Sequence, residues 1–376
     1  MPNTKITRPA RDDYTFASDN TAGICPEAWA GLAAANPGRA PSYGADAWTA
    51  GLPEHFNKVF ETECEVFLVQ NGTAANALAL SALCNRYHSI ICHDYSHAES
   101  DECGAPEFFT GGSKLLALPG PNGKLEPAAV ERVLRRDRGV HFQKPGALSL
   151  TQSTEWGTLY TVAEIRALST LAHQHGLAVH MDGARLANAA AALQDRGISP
   201  ADFTWRAGVD VLCFGGTKGG MHATDAVVFF NRPLARDFDR RVKQAGQLES
   251  KTRFAAAQWD RMLRTGAWQK HAAHANAMAK KLAAALSAHP TLRLIAEPEV
   301  NAVFVEMPPA VYAALSARGW HFYRFIGEHG YRLMCAWDTT VQDVAAFTAD
   351  LSEVMRRPPP LKMGKKKPPA KSPGAG

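Results

Sequence analysis

No stretch of this 376-residue sequence is apolar for long enough to cross a bilayer, and Met1 to Ala10 hold no hydrophobic run of the kind that directs secretion. A cytoplasmic protein is expected. Cysteine is scarce and unpatterned: Cys25, Cys64, Cys84, Cys92, Cys103, Cys213 and Cys335 are an odd number with no C-x-x-C pair. Several sit in apolar runs such as Val211 to Phe214, so buried free thiols in a reducing compartment are predicted. Positive charge is also scarcer than the formal +5 suggests. Seven of the cations, Arg356, Arg357, Lys362, Lys365, Lys366, Lys367 and Lys371, crowd an end segment without a single acid. The body before them is slightly negative, which gives no support to a nucleic-acid or membrane role. There is no internal repeat. What remains is a chain with 46% hydrophobic residues, enough for a sizeable core, and long enough for one large domain plus a smaller one.

Short β-rich runs alternate with helical ones, the pattern of an α/β protein with a mostly parallel sheet covered on both faces. Seven strands are predicted, at Glu65 to Gln70, Ser89 to Cys92, Lys114 to Leu118, Ala147 to Thr151, Leu177 to Met181, Val209 to Phe214 and Ala226 to Asn231. Thr161 and Glu164 form a capping-box pattern, and Gly176 suits the left-handed stop of the helix that follows. After about residue 233 long helices are expected over 234–247, 254–263 and 268–289, then a smaller α/β unit over 292–355. The division predicted is an N-terminal segment 1–20 contributing to the site, a large domain 21–250, linker helices and a small domain 251–356, and a disordered basic tail 357–376.

The strongest local feature is Lys218 in Phe214-Gly215-Gly216-Thr217-Lys218-Gly219-Gly220, a lysine among glycines directly after a buried strand. Alone it reads as a turn lysine facing solvent, and its spacing is not that of a phosphate loop. A second strand end, His180-Met181-Asp182-Gly183-Ala184-Arg185, offers a carboxylate and a guanidinium. An acid facing a pyridine nitrogen keeps it protonated, and a lysine amine held away from water becomes nucleophilic; together they are what a pyridoxal-phosphate (PLP) site needs. Asp182 also suits a helix N-cap. A third strand end, Asn71-Gly72-Thr73, opens an alanine-rich helix whose free N–H groups make a phosphate seat, although a Thr-capped helix looks the same. His97, after a fourth strand, could stack on a ring or exchange protons near neutral pH. His93 and His97 with nearby acids could instead bind a divalent metal, or lie in a plain surface loop; His222 reads as an ordinary loop histidine.

These motifs, with Ser18-Asp19-Asn20, Tyr43-Gly44-Ala45-Asp46, Asn71 to Asn76 and Asp101 to Phe109, resemble the L-threonine aldolases of PLP fold type I, and among them the bacterial low-specificity and phenylserine enzymes. The likeness runs roughly from Phe16 to Leu351. It implies a large domain with a mostly parallel seven-stranded sheet and a smaller C-terminal α/β domain. It further implies that Lys218 holds PLP as a Schiff base, Asp182 pairs with the pyridine nitrogen, Arg185 lies near the phenolic oxygen, His97 stacks on the ring, and Gly72 with Thr73 seats the phosphate. A basic residue from a neighbouring subunit, Lys251 or Arg253, would add a phosphate contact, and Ser18, Tyr43 and Arg332 match substrate-binding positions. Two departures stand out: Gly219 where many relatives have Asn, and Thr154 where other branches have a second histidine.

The reaction expected is retro-aldol cleavage of L-threonine, L-allo-threonine or a related β-hydroxy-α-amino acid such as phenylserine to glycine and an aldehyde, with His97 as base. The rivals are a PLP-dependent β-eliminating lyase or aminotransferase and, more distantly, a non-catalytic anion- or metal-binding α/β protein. A homodimer or homotetramer with shared active sites is expected, with no nucleic-acid or membrane partner.

Overall fold

The computed structural model describes residues 15–136 and 139–356. The basic tail expected to be disordered lies outside the described residues. Strands β1 Glu65–Val69, β2 His88–His93, β3 Lys114–Leu118, β4 Lys144–Thr151, β5 Ala178–Gly183, β6 Val211–Gly215 and β7 Asp225–Phe229 build one seven-stranded sheet in the order β1-β7-β6-β5-β4-β2-β3. Helices connect the first six, whereas β6 returns to β7 through the short loop that carries Lys218. Too short for a crossover, that loop makes β7 antiparallel to both β6 and β1. The remaining pairings are parallel. The C-terminal ends of β1, β2, β4, β5 and β6 therefore share one edge, where ligands bind in open α/β sheets.

Local chemistry accounts for the elements around this edge. Helix Gly72–Leu83 is alanine- and leucine-rich and buried on nearly every side, so it packs as an internal rod against the sheet. Its N-cap is Asn71, whose side chain accepts from the Ala74 N–H, rather than Thr73. Helix Val162–Gln174 starts with the expected Thr161–Glu164 capping box and is followed by Gly176 at φ +73°. Asp182 does not cap the next helix, Leu186–Gln194, which begins after Arg185.

One expected helix is broken. The stretch 234–247 divides into a 3-10 turn, Arg232–Ala235, and a helix, Phe238–Gln244. Asp237 between them has φ +56°, a left-handed conformation that Asp tolerates better than most residues and that interrupts the hydrogen-bond ladder. The next two helices run Arg253–Thr265 and Ala267–Ser287. Aromatic rings bind the first of these to the sheet: Trp259 packs on Phe56 and Phe214, and its indole N–H donates to Thr224 at 3.0 Å.

A second sheet holds β8 Arg293–Leu294, β9 Ala302–Glu306, β10 Tyr323–Ile326 and β11 Gly330–Met334 in the antiparallel order β10-β11-β9-β8. The N-terminal segment stitches the two sheets together. Phe16 is fully buried in the smaller sheet's core against Trp320 and Phe347, and its carbonyl accepts from the Met334 N–H. Asp19, three residues on, reaches the edge of the larger sheet.

Candidate active site

Asp182, at the end of β5, is buried, and its carboxylate accepts from the Ala184 N–H and from Asn76 Nδ2, both at 2.9 Å. Burial pushes its pKa up, but the charges of His97 and Lys218 and the Ala184 N–H outweigh that and leave it below the ordinary value. His180, two residues back, stays neutral, because burial drives its pKa down to about 4. Asn76 spends its second N–H on Glu102 Oε1 at 2.8 Å, and the same oxygen meets His97 Nδ1 at 2.8 Å. An unbroken polar chain thus runs from His97 through Glu102 and Asn76 to Asp182. The hydrogen bond to Glu102 raises the pKa of His97, and burial raises that of Glu102.

A second network holds the arginines. Arg185 is gripped at two points by Asp19, with Nε at 2.7 Å and Nη2 at 3.0 Å, and Glu155 lies 3.9 Å from its Nη1. Asn301, at the start of β9, adds a donor to the same Asp19 carboxylate at 3.1 Å. Burial opposes ionisation of Asp19, but Arg185 more than compensates and takes its pKa down to about 2. Arg332, on β11, lies within electrostatic reach of Arg185, Glu155 and Asp19. Its guanidinium stands 4.5 Å from the Phe325 ring, and its Nε is buried with no partner.

Between these networks opens a cleft of about 180 Å³ lined by Asn71, Gly72, Thr73, His97, Lys218 and Asp225, among others. With Asn71 occupying the Ala74 N–H, the Gly72 and Thr73 N–H groups are the orphan donors of the helix start, presented to an anion. Opposite them, Asp225 Oδ1 accepts from the N–H groups of Gly216 (2.8 Å) and Thr217 (3.0 Å) and so shapes the turn that carries Lys218. Gly216 allows that turn to pack, since a Cβ there would collide with the Thr224 carbonyl and the Trp259 ring. Burial lifts the pKa of Asp225, which eases the presence of a carboxyl group beside an anion seat. A lysine amine, an anion seat and an imidazole thus line one cleft, and a buried ionised acid, Asp182, lies within electrostatic reach of the amine and the imidazole.

The sequence profile of the beta-eliminating lyases matches residues 15–309. The chain belongs to the beta-eliminating lyase family. Within this family it is 52% identical over 340 residues to the low specificity L-threonine aldolase of Pseudomonas sp. (strain NCIMB 10558), covering 90% of this chain and 97% of that one. It is also 52% identical over 345 residues to the low specificity L-threonine aldolase of Pseudomonas aeruginosa, covering 91% and 99%. Among solved structures it resembles the threonine aldolase of Leishmania major, with a TM-score of 0.85 and 27% identity over 90% of this chain and 99% of that one. The fold is accordingly the type I fold of that enzyme.

Not every residue singled out from the sequence reaches the cleft of this family member. Tyr43 is 52% exposed beneath the Lys243 ammonium, 4.4 Å from its ring, and lines a separate apolar groove with Leu52 and Leu248. Lys251 is exposed, and Arg253 donates to the Ala35 carbonyl at 3.1 Å. None of these three lines the cleft of its own chain. Ser18 caps the turn Asp19–Thr21 by accepting from the Asn20 N–H. Thr154 is tied up in its own loop with Thr158 and the Asn122 carbonyl. His93 turns to the Gly120 carbonyl and the Tyr95 N–H, so it does not converge with His97 as a metal pair would. His222 is an exposed loop residue whose backbone pairs with Gln258. Asn76, Glu102, Asp19 and Asp225 had been given no role from the sequence, although the first three lie inside its quoted motifs.

Proposed function

We propose that this chain is a PLP-dependent aldehyde-lyase that cleaves L-threonine and related β-hydroxy-α-amino acids to glycine and an aldehyde. The observation that carries the reading is that Lys218 lines the cleft together with Gly72, Thr73 and His97 while the buried, ionised Asp182 lies within electrostatic reach of both Lys218 and His97. PLP suits the groups present: the Gly72 and Thr73 N–H donors would hold its phosphate, Asp182 would pair with its pyridine nitrogen, and the Lys218 amine would hold its carbonyl carbon. Bound there, the cofactor supplies an electron sink for the pair released when the Cα–Cβ bond breaks.

The remaining work falls to side chains. Arg332, with a buried unpartnered Nε, takes the substrate carboxylate through its planar fork, and Ser18 completes the clamp. That clamp would fix the orientation of the scissile Cα–Cβ bond. His97, which lines the cleft, would cover the cofactor and, as base, would remove the β-hydroxyl proton as the aldehyde leaves; a proton returned to Cα gives glycine. Arg185, held at two points by Asp19 and with Nη1 3.9 Å from Glu155, would lie near the phenolic oxygen of the cofactor rather than hold a substrate charge. In a homodimer or homotetramer, Tyr43 and either Lys251 or Arg253 would complete the site of a neighbouring copy.

The test is incubation of the PLP-loaded protein with L-threonine and with L-phenylserine, alongside Lys218→Ala. Glycine with acetaldehyde or benzaldehyde is expected from the parent, and a loss of at least about a thousandfold from the variant. Ammonia and a keto acid as products would establish elimination instead.

A further inference from the structure

The mechanism above uses His97 but neither of the buried residues behind it. Glu102 is almost wholly buried, and Oε1 alone carries its two contacts, to His97 Nδ1 and to Asn76 Nδ2. Asn76 is equally buried, and its amide can only donate through Nδ2, so the atoms it meets on Glu102 and on Asp182 must both be acceptors. With Glu102 ionised, Oε1 can only accept, from Asn76 and from His97 alike, and the hydrogen between Glu102 and His97 sits on the imidazole Nδ1. The ring nitrogen left for the cleft is then Nε2, without a hydrogen when His97 is neutral.

We infer that Glu102 is a positioning residue that fixes the Nδ1–H tautomer of His97, and that Asn76 anchors Glu102 to Asp182 so that both residues bracketing the cleft share one hydrogen-bonded frame. The inference rests on the reading of His97 as the base. Four charged groups face the imidazole: Glu102 beyond the short helix His97–Ser100, Glu155 from the loop after β4, Asp182 from β5 and Lys218 from the turn after β6. Of these, Glu102 alone bonds the ring, and its hydrogen bond is the leading cause of the raised pKa of His97. With an apolar or amide neighbour in its place, an imidazole could populate either tautomer, and the Nε2–H form has no lone pair to offer a substrate hydroxyl.

The experiment is a pH titration of the full-length protein without PLP, labelled with 15N-histidine, with the His97 resonance assigned by its loss in His97→Gln. Parent protein should show the Nδ1–H tautomer and a midpoint above that of free histidine. In Glu102→Gln the midpoint should fall by about one pH unit and the tautomers should mix; Glu102→Asp, which keeps the charge at a shorter reach, should lie between. With PLP and L-threonine, the acid limb of kcat in Glu102→Gln should move down by the same amount as the NMR midpoint while KM changes less than kcat. An unchanged midpoint and tautomer in Glu102→Gln with native circular dichroism would overturn the inference. Should that variant not fold, an Asp variant with the parent's midpoint and tautomer despite its withdrawn carboxylate would do the same. An NMR midpoint that moves while the acid limb does not would uphold the frame and overturn His97 as the base.

Discussion

Replacing Asp19 by alanine tests whether its ion pair with Arg185 ties the N-terminal segment to the edge of the larger sheet. The variant leaves the Arg185 guanidinium buried without its two-point partner. Breaking a buried ion pair from one side costs about 3–5 kcal/mol. A second route to the magnitude is the acidity of Asp19, held at about 2 against an ordinary 3.8; at about 1.4 kcal/mol per pH unit this corresponds to about 2.5 kcal/mol. Glu155, 3.9 Å from Arg185, takes over part of the compensation, so about 3 kcal/mol is the value to expect. For a chain of this size, with an unfolding entropy on the order of 0.7 kcal/mol per kelvin, that is a fall in Tm of about 4 °C. The pH dependence has a definite sign. The carboxyl is more acidic folded than unfolded, so its contribution is complete above about pH 4 and disappears as the pH falls toward 2. Calorimetric melts of parent and Asp19→Ala at several pH values give both quantities. A Tm at pH 7 within one degree of the parent, with curves that stay parallel down to pH 2, would refute the reasoning.

Two further outcomes follow from the same geometry. Arg332→Ala should raise KM for L-threonine by about tenfold or more and also lower kcat, because the carboxylate clamp both binds and orients; steady-state kinetics showing KM alone affected would reduce Arg332 to an anchor. Asp225→Ala leaves the Gly216 and Thr217 N–H groups without their acceptor and should lower stability by about 2 kcal/mol, whereas Asp225→Asn, which keeps an acceptor oxygen, should cost less than about 1; thermal melts of the two variants distinguish them.

The parts legible in the sequence were those with a local cause. Apolar β-branched runs located all seven strands of the larger sheet, with ends displaced by up to three residues, and the Thr161–Glu164 box marked its helix because a capping box spans a single turn. Lys218, Asp182, Gly72 and His97 could be read as one group because parallel strands bring their C-terminal ends to one edge, and strand ends are visible in sequence. Residues whose partners are far along the chain left no such signal. Asn76 meets an acid 106 positions away, and Asp19 meets an arginine 166 positions away. The break at Asp237 was hidden for the opposite reason: the apolar spacing of 234–247 suits a helix, and one left-handed residue does not disturb spacing.

The contrast between the two arginines shows what the tertiary partners add. By residue type alone, Arg185 and Arg332 are equally good ligands for a carboxylate. In the structure they are not equivalent, because Asp19 occupies Arg185 through both Nε and Nη2, while Arg332 packs against the Phe325 ring with a buried Nε that has no acceptor. Burial lowers the pKa of Arg332, and the nearby charge of Arg185 adds to that effect. A substrate carboxylate would relieve both costs at Arg332 and neither at Arg185, where it would have to displace an anion already bound at two points. On the proposed reading, Asp19 therefore does more than neutralise its partner: by saturating one guanidinium it would leave the other to bind the carboxylate of an amino acid.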